Sequence, residues 1–256
     1  ILCYLAYRRK QPLLKPWSSG TGMAGIAGAG YSVLCDYVEV NYFWSFIGIS
    51  PIVIIYGLCF LVIHKGPDVE RTADELLNEA VEGEHVSMCD CSLVKSALFY
   101  MLNCGAVYFL EYVIQGAFAH CSLEPSIREQ KKYFFALLNL MYQIGVFISR
   151  SSLVLFHYPW VGRLTIRQTL FFAVWFANSL THFLTEWLML VLMIVVGLFG
   201  GCSYVNVFDM IMNYPLKTRK QKEMMTSWNS LFISVFIILA AAFTTLCEGT
   251  FLKNQL

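Results

Sequence analysis

The sequence predicts an all-α, polytopic transmembrane helix bundle with about seven spanning helices. Three observations carry this. Apolar residues make up 57% of the 256 and charged residues only 14%, with a mean hydropathy of +0.59, whereas soluble domains run at about 45–50% apolar and about 25% charged. A single soluble core has no use for that excess, and a lipid-facing exterior does. Seven windows reach or approach the roughly 20 apolar residues that a spanning helix needs. All but four of the 18 Lys and Arg residues fall on one side when those windows cross in turn, as the inward bias of positive charge requires. The four exceptions are Arg128, Lys131, Lys132 and Lys253.

The windows follow in order. Ile1–Tyr7 is apolar but is cut off by Arg8, Arg9 and Lys10, and it reads as the tail of an upstream membrane helix, so the chain is expected to be part of a longer one. Trp17–Leu34 carries a run of small residues through Gly20, Gly22, Gly25, Gly28 and Gly30. Tyr42–Ile63 is almost wholly apolar. The Lys65–Ser92 stretch is acidic, with Asp68, Glu70, Asp74, Glu75, Glu79, Glu82, Glu84 and Asp90, and reads as a cytosolic linker too polar to bury a core. Five windows follow it: Ser96–Phe118, Tyr133–Phe156, Gln168–Leu184, Trp187–Phe208 and Met224–Leu246. Only Thr185 and Glu186 separate the fifth window from the sixth, which fits either a tight hairpin or a broken helix. The expected organisation is residues 1–64 as the end of one helix bundle, 65–92 as the linker and 93–256 as a second bundle. Two bundles joined by a central cytosolic loop is a major-facilitator-like layout.

Several function classes are excluded. No basic run alternates with stacking aromatics, so no nucleic acid partner is expected. The nine cysteines include no C-x-x-C pair, and Cys89 and Cys91 alone do not make a metal site. No H-E-x-x-H or G-x-S-x-G occurs, so neither a catalytic constellation nor a cofactor is expected. The G-x-G-x-x-G of Gly20, Gly22 and Gly25 lacks the strand and βαβ unit of a dinucleotide site; close helix packing through small residues accounts for it, with a hinge or a substrate-lining backbone as the other reading.

The polar residues inside the windows are the candidates for chemistry. Glu111 lies in the middle of the third, and at about 100° per residue Tyr108, Glu111 and Gln115 share a face. A charge at mid-bilayer costs about 2.5–3.5 kcal/mol on insertion scales, so this face lines a cavity or meets a partner. Glu111 is either a proton carrier or a structural hydrogen-bond anchor. Asn139, Gln143, Val146 and Arg150 form a stripe on the fourth window. Arg150 either snorkels to the interface or grips an anionic group at the base of a cavity, with Ser149, Ser151 and Ser152 as added donors. On the sixth window Gly197, Gly200 and Gly201 present a small face for packing, with Tyr204 one turn on and Asn206 on the opposite side.

Four strings, Trp17–Gly25, Tyr108–Gly116, Tyr142–Leu153 and Gly197–Phe208, resemble in order and spacing those of the battenin family. The resemblance runs from Trp17 to about Leu246. It implies a major-facilitator-like fold in a lysosomal, late endosomal or vacuolar membrane. It also implies roles in lumenal pH, basic amino acid levels and glycerophosphodiester clearance. It marks Glu111, Tyr112, Gln115, Tyr142, Gln143, Arg150, Ser151, Ser152, Tyr204 and Asn206, with Gly200 and Gly201, as substrate-cavity or gating candidates, beside the reading from the residues themselves of Gly20, Gly22, Gly25, Gly197, Gly200 and Gly201 as helix-packing positions. Two features depart from the family. Lys253 stands where mammalian members have a prenylation-type Cys. Asp74-Glu75-Leu76-Leu77 has Thr72 where a dileucine sorting signal has an acidic residue.

The expected function is therefore a lysosomal transporter of small polar solutes working by alternating access, with the lipid bilayer as its medium. The rival is a non-transporting scaffold whose Lys65–Ser92 loop binds trafficking proteins.

Overall fold

A computed structural model describes residues 14–64, 91–152, 157–215 and 218–253. The sequence readings on Ile1–Tyr7, on most of the Lys65–Ser92 linker and on the dileucine stretch lie outside these. Among the described residues there is no strand. The helices are α1 (Leu14–Tyr37), α2 (Tyr42–Ile49), α3 (Pro51–His64), α4 (Cys91–Val113), α5 (Pro125–Gln130), α6 (Tyr133–Ser151), α7 (Val161–Thr181), α8 (Glu186–Met212) and α9 (Arg219–Gly249), with a π-helical turn, Ile114–Phe118, extending α4. The described residues fall into two compact units, one made of those up to Leu34 together with those from Cys91 onward, the other of Cys35 to His64.

Local chemistry explains the boundaries. The backbone N–H of Phe43 donates to Asn41 Oδ1 at 2.9 Å, capping α2, and Pro51, which has no N–H to give, separates α2 from α3. Thr218 opens α9 with a capping box: Gln221 N donates to the Thr218 hydroxyl and Thr218 N donates to Gln221 Oε1, so two otherwise orphan donors are satisfied. Pro125 sits in the first turn of α5, where its missing donor costs nothing. The choice left open between the fifth and sixth windows resolves to a tight turn. His182 adopts a left-handed conformation (φ 50°), its N–H donates to Asn178 O at 2.8 Å, and Leu184 N donates to Asn178 Oδ1 at 2.9 Å. One buried asparagine thus closes the hairpin between α7 and α8.

Within the larger unit, α6 packs along α8 and α9 along α4 most extensively, with α7 against α4 and α8. The core runs through Ile114, Phe118, Leu138, Trp175, Met189, Met193, Val196 and Ala240. The opposite faces carry Phe99, Ile166, Leu170, Val191, Val235 and Ile238 exposed. Apolar residues on both faces are what a helix needs when one side meets a core and the other meets lipid.

Five stretches are long and apolar enough to cross a membrane: Tyr42–Cys59, Ser92–Phe118, Tyr133–Ser151, Glu186–Met212 and Lys220–Gly249. The chain is thus a polytopic helical membrane protein. The helices α1 and α7, of 24 and 21 residues, have the length at 1.5 Å per residue without the apolarity. The small and hydroxyl residues of α1 dilute it, and α7 begins seven residues before the window read from the sequence, taking in Arg163 and Arg167. Arg163 is held over the Trp160 ring, 4.4 Å from its centroid.

Candidate functional site

The site is assembled where α1, α4, α6 and α8 meet. Glycine makes that meeting close. A Cβ on Gly145 would run into the backbone of Ile194 and Leu198 on α8, and one on Gly197 into the Tyr142 carbonyl and the Val146 nitrogen on α6. Gly201 faces the Ser149 hydroxyl and Val146. On the other side of α6, Gly22 lies against the Phe147 backbone, with 2.9 Å from an added Cβ to Phe147 Cα, and Gly25 lies under the Gln143 side-chain amide. Gly20 faces open space, so of the three α1 glycines marked for packing it alone makes no close approach.

Arg150 turns inward from α6. Nη1 donates to the Thr21 hydroxyl of α1 at 3.1 Å, and Nη2 to the Tyr108 hydroxyl of α4 at 3.2 Å. The guanidinium carbon sits 4.5 Å from the centroid of the Tyr204 ring of α8, a cation–π geometry. Arg150 Nε is buried without a partner. The side chain therefore touches three helices besides its own, which the snorkelling reading does not fit. Ser18 donates to the Arg150 carbonyl at 3.3 Å, and Ser151 to Ser19 at 3.1 Å. Tyr108 stacks with Tyr112 at 6.1 Å and packs on Tyr204 at 5.9 Å.

Glu111 is 1% exposed. Its carboxyl lies against Gly200, the one position on α8 where the absence of a side chain leaves room for it, and Tyr142 is its hydrogen-bonding neighbour. Oε2 is left without a partner. Glu111 and Arg150 share one neighbourhood without forming an ion pair: Tyr108, one turn from Glu111, takes the guanidinium instead. Buried polar atoms in proteins are rarely left unpaired, and these two, one acidic and one basic, lie in the same cluster.

The remaining candidates divide. Tyr112, Tyr142 and Tyr204 belong to the cluster. Gln115 donates to the Glu111 carbonyl at 3.3 Å from within the π-helical turn, and Gln143 faces α1 at Gly25. Ser152 donates to the Ser149 carbonyl at 2.7 Å and so finishes α6. Asn206 lies apart, accepting from Tyr158 N at 2.6 Å and donating to the Cys202 carbonyl at 2.8 Å, which anchors the segment ahead of α7. Sequence reasoning missed Ser18, Ser19 and Thr21 as partners of α6, because the glycines among them pointed to packing alone. It also missed the fully buried Gln168, Ser203 and Asn229, which stand among other polar residues and carry no motif of their own.

With this geometry in view, comparison with known proteins gives a consistent result. The family model described as CLN3 protein matches residues 70–253. The battenin of Dictyostelium discoideum is 28% identical over 98% of this chain and 69% of its own length. Protein btn1 of Schizosaccharomyces pombe is 30% identical over 80% of this chain and 56% of its own, and the dog battenin is 32% identical over 80% and 50%. The chain thus spans roughly half to two-thirds of the length of these relatives. No solved structure matches it. A polytopic helical bundle with this family match over most of its length belongs to the CLN3 family of battenin-like membrane proteins.

Proposed function

We propose that this chain is part of a lysosomal or vacuolar transporter that moves a small polar solute by alternating access, not an enzyme. The single observation that carries the reading is the inward Arg150, held by α1, α4 and α8 at once beside a buried Glu111, with one polar atom on each left unpartnered. Solute sites in transporters lie where helix bundles meet near mid-membrane, and intramembrane ionisable residues mark solute and proton paths. In this reading Arg150 binds the anionic group of the solute, Glu111 carries the coupled proton, and Tyr108, Tyr112, Tyr142 and Tyr204 form the walls. A major-facilitator-like layout with seven crossings, its basic loops in the cytosol, gives the two bundles. Glycerophosphodiesters and basic amino acids are the solutes to try first.

The test is uptake of radiolabelled glycerophosphodiester into proteoliposomes holding the full-length protein under an imposed pH gradient. A hydrogen bond to a charged group contributes about 1.5–3 kcal/mol, so Arg150→Ala should weaken solute binding by roughly tenfold or more. Glu111→Gln should abolish the dependence on the gradient. Flux that ignores both substitutions removes both roles. The acidic linker supports the scaffold reading instead: if transport is absent from folded protein, and deleting residues 68–90 abolishes the cellular role, the scaffold stands.

A further inference from the structure

A cavity of about 530 Å³ opens at the end of the larger unit that carries Arg128, Lys131 and Lys132. None of its lining residues belongs to the Arg150 cluster. Leu123 is among those lining it, with Lys131, just ahead of α6, and Glu186 and Trp187 in the first turn of α8. His182 and Glu124 complete the ring of polar groups. The walls are fixed in place. Asn178, wholly buried, holds the His182–Leu184 turn through two backbone N–H groups and donates to the Ser122 carbonyl at 3.3 Å. The volume is within the range of ligand pockets, and the lining sets polar side chains beside Leu123, Ile127, Leu184 and Trp187.

The charges on the wall indicate the ligand. Lys131 Nζ meets both carboxylate oxygens of Glu186, at 2.6 and 2.7 Å. Their side chains are 35% and 37% exposed. An ion pair so open to water contributes little to stability, so it parts readily for a ligand that satisfies both ends. A molecule with an anionic and an ammonium group does so, giving its anion to Lys131 and its ammonium to Glu186. A molecule with one charge leaves one member of the pair unmatched, which is the repulsive half of specificity. Leu123, Ile127 and Leu184 line the same cavity and offer apolar surface to the stem that joins the two charges.

We propose that this cavity binds a small zwitterion, an anion and an ammonium joined by a short apolar stem. A free solute and the headgroup of an aminophospholipid share this chemistry. The experiment is calorimetry on the full-length protein in nanodiscs of phosphatidylglycerol, titrated with 4-aminobutyrate, butyrate and butylammonium. The zwitterion should bind, and each singly charged analogue should bind at least tenfold more weakly. Lys131→Met and Glu186→Gln should each weaken the zwitterion tenfold or more, while Lys132→Ala, next to the cavity but not lining it, should leave it unchanged. Loss of affinity in phosphatidylethanolamine nanodiscs identifies a lipid headgroup as the occupant, and unchanged affinity identifies a free solute. No binding to folded wild-type protein, equal binding of the three probes, or binding that survives Lys131→Met overturns the proposal. The readout is binding, not flux, so the outcome is independent of the transporter reading.

Discussion

Two glycine-rich surfaces of this chain read alike in the sequence and differ in the structure. Where α6 crosses α8, Gly145, Gly197 and Gly201 each lie against the backbone of the opposite helix. Along α1, Gly22 and Gly25 meet α6 while Gly20, Gly28 and Gly30 face open space. The difference is one of what the missing Cβ would strike. Backbone cannot yield, the tip of a side chain can, and open space resists nothing, so the same residue type ranges from indispensable to replaceable.

The largest effect is expected at Gly197. Gly197→Ala should cost about 3 kcal/mol or prevent folding, read as the thermal midpoint of this chain in detergent, and Gly145→Ala should match it because the same pair of backbones is forced apart. Gly200→Ala should cost less, about 1 kcal/mol, because its new Cβ strikes only the carboxyl end of Glu111. Its signature is functional: the displaced carboxyl should shift the dependence of flux on the pH gradient in the full-length protein. The smallest effect, of opposite sign, belongs to Gly28→Ala, which should stabilise α1 by about 0.5–1 kcal/mol by stiffening the unfolded chain. A loss at Gly28 equal to the loss at Gly197 would show that the open face of α1 is covered by another surface.

How much of this was legible in the sequence follows from what each feature depends on. Long apolar runs are local, and the windows found α1, α4, α6, α8 and α9 to within a few residues at most ends. The start of α7 was misjudged because a window scored on apolarity rejects Arg163 and Arg167, although helices hold basic residues at their rims. The short α5 and the break at Ser50–Pro51 depend on one proline each, and an average over 20 residues hides them. In the site, the heptad-like stripe on α6 and the face of Glu111 were readable from helical geometry. The absence of a direct Glu111–Arg150 pair was not, because Thr21 and Tyr108 reach Arg150 from helices more than 40 residues away in the chain. Asn206 shows the same limit: a polar residue on an apolar helix looks like a cavity residue until its partner, the Tyr158 backbone, is known.

The π-helical turn after Glu111 carries a consequence of another kind. It seats one residue more than an α-helical turn in the same span, so the helix changes phase between Glu111 and Phe118. Upstream of it the α4 side chains are registered to Arg150; within it, Gly116 meets Thr244 and Phe118 meets Phe172. Winding these same residues as an ordinary α-helix would swing one half against the other by about 100°, whereas deleting one of them would restore α-helical winding with both halves in place. In the first case every side chain would be retained and nearly every address beyond the turn would be wrong, so the way this stretch winds matters as much as what it is made of.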